Sequence, residues 1–151
     1  MNRDSRLSVA LHVLLHLEEM DGPATSQALG AMMDTNPVVI RRTLAGLRDA
    51  RIVVADKGHG GGWTLAVDLR TITVADVYDS LGPTRVFGIG VHEDAPRCPL
   101  EREVNRAVHD ALDRAEAELR QSFRSMNVAA LLKAAKKRSD HEHARRDHRR
   151  G

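Results

Sequence analysis

The stretch NPVVIRRTL at residues 36–44 is followed, after the intervening sequence AGLRDARIVVAD, by KGHGGGW at residues 57–63. In the first stretch Asn36 is a good helix cap, and Pro37 suits the first helical position, where its missing N–H costs nothing. The second stretch is glycine-rich and separates two β-prone runs, which indicates a hairpin. A basic helix followed by a glycine-tipped hairpin is typical of a winged helix-turn-helix, in which the helix enters the major groove and the hairpin reaches the adjacent minor groove or backbone. The pairing favours DNA binding over catalysis.

The helix that begins after Asn36 is expected to run to about Ala50. Apolar side chains at i, i + 4 and i + 7 predict its buried face. They are Ile40, Leu44 and Leu47. Arg41 and Arg42 lie off this stripe, so the helix should present a basic face to solvent.

Two further helices are predicted upstream. Apolar residues recur at three- and four-residue spacing between Asp4 and Met20, which predicts the first. Thr25 and Ser26 offer hydroxyl caps for a short second helix that ends near Met33. The three helices should form one compact unit, and the last of them should present its basic face to solvent.

The chain downstream predicts a wing and a fourth helix. Residues 52–55 and 63–67 are expected to form two strands, with Gly58 and the glycines at 60–62 supplying the positive backbone angles of the reversal. Trp63 is interpreted as a packing residue at the wing base. A fourth helix should start with Thr73 as its cap and close at Gly82-Pro83.

A long helix is predicted from about Pro99, because an apolar stripe continues for roughly seven turns, or about 40 Å. Its members are Leu100, Val104, Val108, Ala111, Leu112, Ala115, Leu119 and Phe123. Much of this stripe would face water in a monomer, and a second copy of the same helix is the simplest cover. A final short helix is expected from Asn127 to about Lys137, and the rest of the chain is expected to be disordered.

Composition limits the remaining classes of function. The chain has 151 residues, a net charge of +2 and 42% hydrophobic residues, which fits one domain, or a small domain with an appended element. One cysteine allows no disulfide within a chain and no four-thiolate metal site. The start of the chain lacks the apolar run of a signal peptide, so a soluble cytoplasmic protein without membrane partners is expected. No nucleophile–base pair, paired carboxylates or nucleotide-binding loop is present, and an enzyme is not expected.

Several ordered motifs resemble the Rrf2 (IscR/NsrR-type) family of bacterial transcriptional regulators. They are RLSVALH at 6–12, NPVVIRR at 36–42, GGWTLA at 61–66, ITVADVY at 72–78 and PRCPL at 96–100. The likeness covers about residues 5–135. It implies a dimeric winged-helix repressor whose long helices cross at the dimer interface.

The resemblance also indicates whether the chain has the ligands for an iron–sulfur cluster. Many members of the family hold an iron–sulfur cluster through three cysteines in the loop before the long helix, and here that loop has only Cys98. Ser8 stands where some members place an acidic ligand, although His12 matches a histidine used as a ligand in one branch. The chain therefore resembles the cluster-free branch, and no cofactor is expected.

Candidate DNA contacts lie on the second and third helices and on the wing. They are Thr25, Ser26, Asn36, Val38, Arg41, Arg42, Lys57, His59 and Gly60. Cys98 is a candidate redox sensor, because a helix start and the neighbouring Arg97 favour thiolate. His12 and His16 have an i, i + 4 spacing close to metal-binding geometry, but a solvated or interface face is favoured, and no metal site is predicted.

The sequence therefore predicts a mainly α fold with a small β-hairpin: a winged helix-turn-helix plus a long C-terminal dimerisation helix. Its predicted parts are a DNA-binding domain at 1–82, a sensor loop at 83–98, the dimerisation and C-terminal helices at 99–138 and the tail at 139–151. The expected function is a homodimeric transcriptional regulator, a repressor, that binds a pseudo-palindromic site on double-stranded DNA. Two alternatives stay open: a cluster- or thiol-based redox sensor of the same fold, and a winged-helix module that contacts only protein.

Overall fold

A computed structural model describes residues 5–58, 60–82 and 98–147, with side chains described as far as residue 138. Most of the chain folds into helices joined to one two-stranded sheet. The elements are α1 (Arg6–Glu19), α2 (Ser26–Met32), α3 (Pro37–Asp49), β1 (Val53–Ala55), β2 (Trp63–Leu65), a 3-10 turn (Leu69–Thr71), α4 (Val74–Ser80), α5 (Pro99–Ser125) and α6 (Val128–Asp147).

The core lies between α1, α3, α4 and the base of the hairpin. The stripe predicted for α3 is confirmed, because Ile40, Leu44 and Leu47 are fully buried. They pack in one cluster with Leu14 of α1 and Val77 of α4. This packing fixes which face of α3 remains outside.

The turn between α2 and α3 is tight. Gly30 is buried in α2, and a Cβ atom at this position would meet the carbonyl oxygen of Thr35 at 2.6 Å. The backbone N–H of Thr35 donates to the carbonyl of Gly30 over 2.8 Å. A side chain at position 30 would therefore push α3 away from α2.

The wing is an antiparallel hairpin in which Val53 pairs with Leu65 and Ala55 pairs with Trp63. Its glycines do two different things. Gly58 and Gly60 adopt positive φ angles of 103° and 80°, as predicted for the reversal. Gly62 instead leaves room for the backbone of Ala24, whose carbonyl oxygen would lie 2.8 Å from a Cβ atom there.

The fourth helix has the predicted cap. The Thr73 hydroxyl accepts a hydrogen bond from the backbone N–H of Asp76, while the Asp76 carboxylate accepts one from the backbone N–H of Thr73. This reciprocal pair is a capping box, which satisfies donors that a helix start leaves open. It fixes the point at which α4 leaves the 3-10 turn.

The junction between α5 and α6 is pinned to the start of α4 by main-chain hydrogen bonds. The N–H of Val74 donates to the carbonyl of Met126 over 2.9 Å, and the N–H of Val128 donates to the carbonyl of Ile72 over 3.1 Å. The amide of Asn127 also donates to the carbonyl of Arg70 over 2.8 Å. The two C-terminal helices are thus attached to the N-terminal part of the fold where α5 meets α6, and we call this contact the joint.

The last helix is longer than predicted. It runs to Asp147 rather than ending near Lys137, so the expectation of disorder from residue 139 is wrong as far as Asp147. The sequence SDHEHARRD at residues 139–147 contains alanine, glutamate and two arginines, which favour a helix, and has no proline or glycine to end one. The absence of an apolar stripe there did not prevent helix formation.

Some predictions fall outside the described residues. The sensor loop predicted at 83–98 is described only at Cys98, and residues 148–151 of the predicted tail are not described. Within the described part of the chain, no helix is long and apolar enough to cross a bilayer.

Candidate DNA-binding surface

The outer face of α3 carries the first group of predicted contact residues. Val38 is 63% exposed, and Arg41 and Arg42 are both exposed, while the opposite face of the helix is in the core. Within the described residues, neither arginine forms an ion pair or a hydrogen bond through its side chain. Arg48 differs, because it bonds to Asp49 over 2.9 Å. Arg41 and Arg42 are thus the arginines of α3 that remain available to an external anion.

The start of α3 is organised as the sequence predicted. The Asn36 side-chain oxygen accepts a hydrogen bond from the backbone N–H of Val38 over 2.8 Å, with Pro37 at the first helical position. Asn36 is exposed, so its NH₂ group remains available to solvent. A capped helix start with an outward amide suits a phosphate oxygen.

Thr25 and Ser26, predicted together as a cap and phosphate contact, have separate roles. The Thr25 hydroxyl caps α2 by accepting from the backbone N–H of Ala28 over 3.1 Å, and Thr25 is exposed. Ser26 is only 7% exposed, and its hydroxyl accepts a hydrogen bond from the Trp63 indole over 3.0 Å. The placement of Ser26 argues against a direct contact between its hydroxyl and DNA. It identifies Ser26 instead as the partner of Trp63.

Trp63 holds the wing against the start of α2, which agrees with its interpretation as a packing residue. Beyond the indole bond, its backbone exchanges two hydrogen bonds with Ala24, at 2.8 and 3.0 Å. At the other end of the hairpin, Lys57 and Gly60 are exposed, whereas His59 lies outside the described residues. The wing therefore has a fixed base and an exposed, glycine-containing tip.

Cys98 lies at the N-terminus of α5 and is an exposed free thiol. The backbone N–H groups of Glu101 and Leu100 lower the pKa of this thiol from its ordinary value of 9.0. The predicted influence of the helix start on Cys98 is thus present. Arg97, the neighbouring cation in that prediction, is outside the described residues.

His12 and His16 lie side by side on α1, with their Nε2 atoms 3.0 Å apart. Burial, and then the charge of His16, lower the pKa of His12 from its ordinary value of 6.5. Glu19, one turn further along, is paired with Lys136 of α6 at 3.2 Å. Among the described residues, no cluster of three or more histidine, cysteine or acidic residues is arranged to hold a metal ion.

The long helix α5 has no buried side chain over its 27 residues. Leu100 is 77% exposed and Val104 61% exposed, both on the predicted apolar stripe. The C-terminal part of the helix contacts α4, where Arg120 pairs with Asp79 at 2.6 Å and the Phe123 ring lies 5.5 Å from that of Tyr78. The stripe is consequently open along the N-terminal part of α5.

The sequence patterns did not single out two polar residues near Arg42, one on α1 and one on α3. Arg6 of α1 and Thr43 of α3 line a pocket next to Arg42. Thr43 offers a signal that could have been used, because it is a polar residue on the apolar side of a helix. Arg6 offers none, since its neighbour Leu81 is distant in sequence.

A capped basic helix beside a hairpin with a fixed base defines a winged helix-turn-helix protein of the DNA-binding type. A family model described as "Rrf2: Iron-dependent Transcriptional regulator" matches residues 3–134. The chain belongs to the Rrf2 family of transcriptional regulators, as its motifs predicted.

Similar proteins agree with this assignment. The chain is 29% identical over 130 residues to YwnA of Bacillus subtilis (strain 168), which is described as an HTH-type transcriptional regulator; the match covers 85% of this chain and 96% of YwnA. A solved transcriptional regulator from Lactobacillus plantarum has a TM-score of 0.77 at 23% identity, covering 96% of this chain and 99% of that one. CymR, the global cysteine regulator of B. subtilis, has a TM-score of 0.60 at 20% identity, covering 89% and 98%. The two structures support the fold.

The family's iron chemistry can be tested against the donors of this chain. A cluster bound by three thiolates of one chain does not fit, because the sequence contains a single cysteine.

Proposed function

We propose that this regulator is a homodimeric, cytoplasmic repressor that binds a short pseudo-palindromic operator through α3 and the wing. The observation that carries the proposal is the pair Arg41 and Arg42, exposed and unpaired among the described residues, on a helix whose other face is locked in the core. Structural arginines on a protein surface commonly have acidic neighbours, as Arg48 does here. Arg41 and Arg42 are instead available to an external anion.

Each side chain suits a particular part of the duplex. An arginine in the major groove can donate two hydrogen bonds to O6 and N7 of guanine, and an apolar side chain such as Val38 can contact the thymine methyl. Asn36 and the start of α3 suit a backbone phosphate, and the exposed Thr25 hydroxyl suits another. The wing tip, with Lys57 and Gly60, suits the adjacent minor groove, where glycine permits a close backbone approach.

The open stripe on α5 supports the proposed dimer. Leu100 and Val104 of this stripe are 77% and 61% exposed, and an apolar helix face left in water favours association. Two copies packed along this stripe by a two-fold axis would present two α3 helices to one face of a duplex. Half-sites would then lie about 34–36 Å apart.

An effector would act by changing the angle between the two DNA-binding units. The joint fixes each pair of C-terminal helices to its own unit through main-chain hydrogen bonds. A rotation between the paired α5 helices would therefore move the α3 helices relative to one another. Cys98, at the N-terminus of α5, is a position from which oxidation of the thiolate could start such a change.

Selection of bound fragments from the organism's genome, followed by fluorescence anisotropy at stated salt, tests the proposal. Arg41→Ala should cost about 1–3 kcal/mol of specific binding if Arg41 reads a base. Arg48→Ala is the matched control, because it removes the same charge from the same helix at a position already paired with Asp49. Normal operator binding by Arg41→Ala would remove Arg41 from the interface.

Two further results would favour the alternatives. Failure to obtain any specific fragment at low salt would favour a winged-helix module that contacts protein. Visible absorbance in anaerobically purified protein would indicate an iron–sulfur cluster shared between chains, because such clusters are coloured. A colourless protein that selects one sequence is the expected outcome.

A further inference from the structure

The pocket between α1, α3 and the end of α4 combines positive charge with apolar walls. Its volume is about 470 Å³, which is within the range of small-molecule sites. Its lining residues are Arg6, Val39, Arg42, Thr43, Gly46 and Leu81. Two arginines therefore line a space of the size that a small metabolite needs.

The polar side of the pocket is built from both flanking helices. Arg6 is half-buried and donates through Nη1 to the carbonyl oxygen of Leu81 over 3.2 Å, which fixes the direction of its side chain. Arg42 is exposed, and it has no side-chain partner within the described residues. A guanidinium has five N–H donors, so Arg42 can donate to a ligand in this pocket.

Thr43 is the second, independent indication of a ligand. It is only 5% exposed, and in the part of the chain that is described its hydroxyl has no hydrogen-bond partner. No fully enclosed polar side-chain atom lacks a partner among those residues. The Thr43 oxygen must therefore be reached from open space, and the space that Thr43 lines is this pocket.

The apolar side of the pocket is equally defined. Val39 and Leu81 provide aliphatic surface. Gly46 allows α3 to approach α4 closely, because a Cβ atom there would meet the Ser80 carbonyl oxygen at 2.7 Å. A bulky residue at position 46 would separate the two helices that form the wall.

From these features we propose that the pocket binds a small organic anion with a phosphate or carboxylate head group. Arg42 binds the head group, the Thr43 hydroxyl donates to it, and its organic part packs on Val39 and Leu81. Arg42 is also one of the residues proposed to contact DNA, so an occupied pocket competes with the operator for this side chain. The competition rests on the proposed function, whereas binding of the anion does not.

Phenyl phosphate is a suitable probe for the full-length protein, with inorganic phosphate and phenol as partial probes. Titration followed by ¹H–¹⁵N NMR should shift the backbone amides of Val39, Thr43 and Gly46 in a saturable way. Inorganic phosphate should bind more weakly because it lacks the apolar part, and phenol should give no saturable shift. Equal binding of inorganic and phenyl phosphate would overturn the organic class of ligand.

Four variants locate the site. Arg42→Gln should weaken phenyl phosphate binding about tenfold and Thr43→Val about fivefold, as expected for loss of a charged and a neutral hydrogen bond. Thr43→Ser retains the hydroxyl and should bind like wild type. Arg41→Gln makes the same charge change on the same helix outside the pocket. Equal weakening by Arg41→Gln and Arg42→Gln would reduce the effect to general charge and overturn the proposal.

The DNA assay separates this proposal from the proposed function. Phenyl phosphate should lower operator affinity in wild type and Arg41→Gln more than in Arg42→Gln. If Arg42→Gln and Thr43→Val weaken operator binding while phenyl phosphate shifts no pocket amide, the pocket takes a DNA phosphate and the small-anion proposal is wrong. If the protein selects no DNA, the NMR titration still decides whether the pocket binds an anion.

Discussion

The indole N–H of Trp63 donates to the hydroxyl of Ser26 over 3.0 Å, and this bond joins two residues 37 positions apart in the sequence. One partner begins β2 and the other begins α2. The bond therefore sets the position of the wing relative to the helix-turn-helix. It joins the wing to α2, the helix that packs against the proposed DNA-binding helix α3.

Loss of this bond should destabilise the domain by a measurable amount. Trp63→Phe and Ser26→Ala each remove one partner, and a double-mutant cycle should give a coupling of about 1 kcal/mol. Urea unfolding should be followed by circular dichroism, because Trp63 is the only tryptophan and Trp63→Phe removes the tryptophan fluorescence. A parallel cycle between Trp63→Phe and Gln27→Ala, at the exposed neighbour of Ser26, should give coupling near zero. Equal coupling in the two cycles would contradict the role of the bond.

The capping box of α4 should make part of the stability depend on pH. The Thr73 hydroxyl, and then the Thr73 backbone N–H, hold the pKa of Asp76 below its ordinary value of 3.8. Because the pKa of Asp76 is lower in the folded chain than in the unfolded chain, its ionised carboxylate stabilises the fold at pH values above the unfolded pKa. This contribution is lost as the pH falls through the folded pKa. Asp76→Asn should therefore cost about 0.5 kcal/mol at pH 7, the range for an exposed charge at a helix start. The cost should shrink below about pH 4, where the carboxyl of the unfolded chain is protonated.

The same substitution made in a Thr73→Val variant identifies the cause of this pH dependence. In Thr73→Val the hydroxyl is absent, so the pH-dependent cost of Asp76→Asn should be smaller. The comparison uses the unfolding free energies, at pH 7 and pH 3, of wild type, Asp76→Asn, Thr73→Val and the double variant. An unchanged pH dependence in the Thr73→Val background would show that the hydroxyl is not the main cause.

Self-association should depend on one face of α5. Ala111 lies on the apolar stripe and Ala117 lies about 120° away around the helix, and both are exposed. Ala111→Glu should weaken the dimer about tenfold or more, because it buries an unpaired carboxylate in the interface. Ala117→Glu adds the same group outside the stripe and should leave association nearly unchanged. Sedimentation equilibrium over a range of concentrations measures both, and equal effects would place the interface elsewhere.

Cys98 should react as an activated thiol. Because the N–H groups of Glu101 and Leu100 lower its pKa from 9.0, the rate of alkylation by iodoacetamide should reach half its maximum at a pH below 9.0. In concentrated urea, where α5 unfolds, the midpoint should rise towards the ordinary value. A midpoint that is the same in both conditions would exclude an influence of the helix start.

The same thiol should link oxidation to DNA binding. Hydrogen peroxide should lower operator affinity in wild type and leave Cys98→Ser unaffected, because only the thiolate is converted to sulfenic acid. Fluorescence anisotropy before and after treatment measures the effect. Equal losses in both proteins would end the case for Cys98 as a sensor.

Local chemistry made much of the fold predictable. Asn36 and Thr73 were expected to cap helices, and both side chains accept the backbone hydrogen bonds that caps require. The stripe on α3 predicted its buried face because neighbours three and four positions apart share one side of a helix. In each case the determining residues are close in sequence.

The remaining features depend on contacts between distant residues. Ser26 looked like an exposed cap residue, but its hydroxyl is covered by Trp63. The pocket beside Arg42 exists only because α1 and α4 meet next to α3, so no local pattern could predict it. The length of α6 was underestimated for another reason, since a polar helix has no stripe to reveal it.

The joint described above consists mainly of main-chain atoms, through Val74 with Met126 and Val128 with Ile72. Bonds of this kind tolerate changes of side chain, provided that the replacement residues keep the same backbone path. Substitutions could therefore accumulate along α5 without changing where that helix joins the rest of the fold. In evolution, the contacts of α5 with other molecules would then change more readily than the position of the helix itself.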